Sequence, residues 1–141
     1  MKKSLKAPSH LIDCDAPPFV PFEWSVEKHQ LGGLWEFNPA KISFYQSSRQ
    51  IKGSIEGHKL RQELTNKPVL NANVLDYLLD HPELIPEDWK NKRIYFWGTI
   101  YRDSDGDLYV RQLDRDGSKW GWHFKWLNNI FSVGSFVAIA S

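Results

Sequence analysis

The residues able to do chemistry in this 141-residue chain are scattered along it. Its five histidines (His10, His29, His58, His81 and His123) show none of the spacings that hold zinc, and Cys14, the single cysteine, has no histidine near it in sequence beyond His10. Asp13 and Asp15 flank that thiol and raise its pKa, which makes it a poor nucleophile. Glu56 and His58 straddle Gly57 at the start of an expected helix, where solvated capping explains them better than acid–base work. Gly32-Gly33 lacks the preceding strand and the following Lys-Ser/Thr of a phosphate loop. Asp103, Asp105 and Asp107 alternate like calcium ligands. An EF-hand loop needs Gly sixth and Glu twelfth, however, and here Gly106 is fourth and Asp114 is twelfth. A hairpin turn accounts for them better. No metal, cofactor or catalytic residue is assigned.

One constellation remains. Between Arg93 and Leu127, rings alternate with cations at the period of two that marks strands. Asp-Gly at 105–106 and at 116–117 marks two hairpin turns. If both are three-residue loops with a Gly bulge, Asp103 opposes Asp107 and Asp114 opposes Ser118. One face then carries Ile94, Phe96, Ile100, Leu108, Val110, Trp120, Trp122, Phe124 and Trp126, without a charge, and reads as core. The other face carries the candidate ligand-binding residues Tyr95, Trp97, Tyr101, Tyr109, Arg111, Lys119, His123 and Lys125. Rings interleaved with cations stack nucleobases or sugar rings. Tyr, Trp and Arg are also the residues of protein–protein hot spots. The competing reading is structural: residues 16–46 bring Phe19, Phe22, Trp24, Trp35 and Phe44, and these rings need a surface to cover.

The elements that must position this face are few. Residues 1–15 read as a mobile tail and 16–141 as a single α+β domain. Pro17, Pro18 and Pro21 forbid helix and central strand, so residues 16–24 form an extended arm anchored by Phe19, Phe22 and Trp24. Lys41–Tyr45 is a short strand and Ser47–Gly53 a polar loop. Ser54 caps a helix over about 55–65; Asn71 or Asn73 caps another over 72–81, with Val74, Leu75, Leu78 and Leu79 on one face. Helices first and strands after predict an α+β fold. Its sheet is an antiparallel meander of three to four strands, over about 93–140, with both helices on one face.

Composition bounds the rest. The chain is 41% hydrophobic and 14% aromatic with seven tryptophans, enough for a sizeable core. A net charge of +1, from 18 basic and 17 acidic residues, gives no whole-chain footprint for nucleic acid or an anionic membrane. One cysteine excludes an intrachain disulfide, and no apolar run approaches a membrane span. The chain therefore reads as soluble and cytoplasmic.

Two phrases carry a resemblance. Pro68 to Lys90 (PVLNANVLDYLLDHPELIPEDWK) and Ile94 to Leu113 (IYFWGTIYRDSDGDLYVRQL) resemble a family of short uncharacterised bacterial proteins. The resemblance runs from about Trp35 to the C-terminus. It implies a shared domain and a bacterial origin, and carries over no activity or site residue. The function expected from the residues is a non-enzymatic binding domain with a protein partner. Single-stranded nucleic acid or carbohydrate on the same face is the alternative, followed by an enzyme whose acid–base groups converge only in space.

Overall fold

The computed structural model describes residues 9–141. The chain starts with three short strands: β1 (Leu11–Asp13), β2 (Ser25–His29) and β3 (Leu34–Glu36). A single 3₁₀ turn, Pro39–Lys41, leads into β4 (Ile42–Tyr45) and the helix α1 (Ser48–Lys52). Then come β5 (Ile55–Glu56), α2 (Gly57–Glu63) and α3 (Ala72–Asp80). Two further 3₁₀ turns follow, Pro82–Leu84 and Glu87–Asn91. The remainder is strand: β6 (Arg93–Tyr95), β7 (Thr99–Arg102), β8 (Leu108–Asp116), β9 (Lys119–Trp126), β10 (Ile130–Phe131) and β11 (Ser135–Ala140).

The fold is α+β as expected, but the sheet is larger than the expected meander. Among the described residues seven strands run in the order β2-β7-β8-β6-β11-β4, with β9 on the other edge of β8. β1 pairs with β3 and β5 with β10 outside this sheet. β11 does not extend a meander beside β9. It inserts between β6, to which it is parallel, and β4, to which it is antiparallel. The segment read as a tail thus contributes a strand, β1; residues 1–8 lie outside the described residues.

Local chemistry explains the smaller departures. The stretch read as a polar loop, 47–53, contains α1 because Ser47 and Gln50 form a capping box: Ser47 Oγ accepts from Arg49 N–H and Gln50 Oε1 accepts from Ser47 N–H. The helix expected over 55–65 starts only at Gly57, because Ile55 and Glu56 pair with Phe131 and Ile130. The α3 helix is capped as expected, with Asn71 Oδ1 accepting from Asn73 N–H at 3.0 Å.

Two breaks decide which side chains share a face. The first lies at Phe96-Trp97-Gly98, which splits the expected strand Arg93–Arg102 into β6 and β7. A Cβ on Gly98 would lie 2.7–2.8 Å from atoms of Asn71, so glycine alone lets the 70–72 segment cross here; Gly98 N–H donates to Leu70 O. Across the break, β7 pairs Tyr101 with Tyr109, whereas β6 pairs Ile94 with Leu113. Ile94 therefore faces the same way as Arg111, opposite to Val110.

The second break is the β8–β9 hairpin. The β7–β8 hairpin has the expected register, with Asp103 N–H bonded to Asp107 O. In the β8–β9 hairpin, Asp116 pairs with Lys119 around a two-residue Gly117-Ser118 loop. Gly117 sits at φ 62° and Ser118 keeps a negative φ, which fits the primed turn with glycine first. Asp114 consequently opposes Gly121 in place of Ser118, a slip of three residues. An odd slip moves every β9 side chain to the other face. Trp120, Trp122, Phe124 and Trp126 now share a face with Arg111, and His123 and Lys125 share one with Val110.

Both faces of the sheet are buried, so the helices do not lie on one side. Leu75 and Leu78 of α3 pack with Ile94, Phe96 and Leu113. Leu60 and Leu64, from α2 and its end, pack with Tyr95, Trp97, Ile100 and Val110, and with Phe131 and Val137.

Candidate functional site

Arg111 lies at the centre of the face on α3's side. Its neighbours Val110 and Gln112 point the other way, and its own side chain is 1% exposed. A buried guanidinium needs a counter-charge. Asp76 of α3 supplies it through two bonds, Nη1 to Oδ2 at 2.9 Å and Nη2 to Oδ1 at 2.8 Å. The guanidinium also lies 4.1 Å from the Trp122 ring centroid and 5.3 Å from that of Phe19.

The proline-containing arm closes over this arrangement. Tyr101 Oη donates to Phe19 O at 2.7 Å. Burial pushes the Tyr101 hydroxyl pKa up, against the opposing pull of Arg111, so the phenol remains a donor. Trp24 stacks on Tyr109 at 4.9 Å and 16°, and meets Phe124 edge-on at 5.2 Å. Each such aromatic pair is worth about 0.5–1.5 kcal/mol beyond its buried area.

Covering one aromatic surface creates another. Phe22 on the arm is 89% exposed, with Phe19 at 53%, Phe124 at 52% and Trp126 at 40%. Trp122 and Trp24 connect Phe19 and Phe124 through ring contacts, and Trp126 lies two residues beyond Phe124 on the same face of β9. The surface borders β9, which is bonded to β8 on one side and to no other strand among the described residues.

The eight candidate residues separate accordingly. Tyr101, Tyr109 and Arg111 are together beneath the arm, the first and last fully buried. Tyr95 and Trp97 are buried in the opposite core. Lys119 is exposed at the hairpin tip. His123 is exposed on the opposite face, its Nε2 3.5 Å from Asp114 Oδ1. Lys125 is half-buried there with its Nζ 4.9 Å from the Phe131 ring centroid. Desolvation, then the neighbouring Arg93, lowers its ammonium pKa. The sequence reading missed Asp76, and it missed Phe124 and Trp126 as exposed rings. Asp76 left a faint signal as a carboxylate next to Leu75 and one turn before Asp80 in α3; the two rings left none short of the hairpin register.

Other chemistry is absorbed by structure. Asp103, Asp105 and Asp107 approach one another, but Asp103 Oδ1 accepts from the N–H groups of Asp105 and Asp107 at 2.9 Å each, as an Asx turn does. Cys14 is buried; burial first, then Asp15 and Asp13, push its thiol up to about 11, so it carries no thiolate at neutral pH. Among the described residues no helix is long and apolar enough to cross a membrane. Comparison of the chain with family models, with curated proteins and with solved structures finds no match.

Proposed function

We propose that this protein is a non-enzymatic binding module whose partner is an extended segment of another polypeptide, laid along β9. The observation that carries the reading is the set of exposed rings, Phe19, Phe124 and Trp126, with Phe22 on the same arm as Phe19, beside a strand edge that no other strand of the described residues pairs. Free edges are normally protected, and contiguous exposed apolar surface marks interaction sites. An added strand bonds to the edge through its backbone, while the rings receive its side chains. The near-neutral charge favours a peptide over nucleic acid, which would depend on many phosphate contacts. Arg111 is committed to Asp76 and is no longer a free cation for phosphate or sugar.

The test pans a displayed library of random linear peptides on the wild-type protein and measures enriched peptides against Phe22→Ser/Phe124→Ser. The expected result is peptides that bind the wild type, shift the amide signals of Lys119–Trp126, and bind the double variant about tenfold or more weaker. A panning that enriches nothing, or peptides indifferent to the double variant, would overturn the reading.

A further inference from the structure

On the opposite side of the sheet, away from the aromatic surface, α2 and the end of β2 enclose a cleft of about 250 Å³ over Trp97 and Ile100. Its charged lining residues are Lys28 and Arg61, and no carboxylate lines it. Neither cation forms an ion pair among the described residues, although Arg102, close in the fold, is paired with Glu27. Gln30 and Thr65 add an amide and a hydroxyl. Glu27, itself paired with Arg102, lies in the field of Arg61, but no carboxylate of the described residues lines the cleft. Two cations facing one concavity concentrate anions there, and a guanidinium matches a carboxylate or phosphate through two parallel bonds.

Two further observations bear on the ligand. Trp97, one wall of the cleft, buries its indole Nε1–H with no acceptor among the described residues, and buried donors nearly always have one. A second cavity of about 170 Å³ shares Gln30 and Val69 with the cleft, and its other walls include Leu31, Trp35 and Leu70. A charged compartment thus adjoins an apolar one across a shared wall.

We infer that this cleft binds a small organic anion, with its carboxylate or phosphate head at Lys28 and Arg61 and its apolar body extending past Val69 toward Trp35. The volume is small beside ordinary drug-sized sites, which sets the ligand at metabolite size. The cleft offers two cations and no acid–base pair, so it holds its ligand and does not transform it.

The test is an NMR titration of the ¹⁵N-labelled protein with octanoate, octyl phosphate, inorganic phosphate and octylamine in parallel. Saturable shifts of the Trp97 indole and of the Lys28, Arg61 and Gly98 amides are expected with octanoate or octyl phosphate, and the tighter of the two identifies the head group. Inorganic phosphate, which lacks the apolar body, should bind more weakly, and octylamine should leave these signals in place. Neither side chain forms an ion pair among the described residues, so Lys28→Gln/Arg61→Gln should keep the wild-type spectrum elsewhere and bind about tenfold or more weakly. Absence of saturable shifts with both organic anions, equal binding of octylamine, or unchanged affinity of the double variant would each overturn the assignment. None of these outcomes touches the β9 surface, so this site and the peptide reading succeed or fail separately.

Discussion

On one face of β8, Val110 is sealed by Trp97, Ile100, Leu127 and Phe131. On the other, Arg111, its neighbour in sequence, is sealed by Asp76, Trp122 and Phe19. The first face is closed by packed apolar volume. The second is closed by a charge pair and by an arm that wraps from outside. Burial is equal, Val110 at 0% and Arg111 at 1%, yet the physics of failure differs. Removing a side chain from the first leaves a cavity. Removing a partner from the second leaves a buried, unbalanced charge, or peels the arm.

The largest effect should come from the first face. Trp97→Ala is expected to cost about 3–5 kcal/mol in urea denaturation, and Trp122→Ala clearly less, since Trp122 is only half-buried. Equal losses would break the contrast. Next, Asp76→Ala should cost about 3 kcal/mol by stranding Arg111, and Asp76→Leu/Arg111→Met should recover most of it. A double variant as unstable as the single one would mean that packing, and not charge, closes this face. Trp24→Ala should cost about 1–2 kcal/mol, and amide exchange should accelerate in residues 16–24 while α3 stays protected.

Cys14 reports on the segment just before the arm, because it is buried in the α3-side core. Its native thiol pKa is raised from 9.0 to about 11, so the native state holds the proton more tightly than the unfolded chain does. The corresponding stability is present below pH 9 and is lost progressively between pH 9 and pH 11. Cys14→Ala should flatten that part of a stability–pH curve. The smallest effect is Phe22→Ser, expected within about 0.5 kcal/mol of wild type because its ring is exposed. A larger loss would show that the arm depends on Phe22 for docking.

Much of the fold was legible wherever one strong local rule had no competitor. Asn71, one of the two caps read, capped α3, Pro82 followed its end, and Asp105-Gly106 set the β7–β8 register. The candidate face was not legible, because its assembly turned on two odd register changes. Asp116-Gly117-Ser118 satisfies both a bulged three-residue turn and a two-residue primed turn. Gly98 reads as an ordinary strand residue until Asn71 is seen pressed against it. Each ambiguity reverses a face: the hairpin slip moved four aromatic side chains toward Arg111 and Lys119, His123 and Lys125 away from it, and the Gly98 break moved Tyr95 and Trp97 away.

By itself, then, the sequence determined the α+β class, the α3 helix and the hairpin-rich second half, since these rest on capping, turn chemistry and periodicity within a few residues. Only the tertiary structure decided where β11 and β4 join, which rings the arm covers, that Arg111 answers to Asp76, and that Lys28 meets Arg61 across one cleft. Those contacts join residues tens of positions apart, and burial and charge balance select among them only when the whole chain is packed.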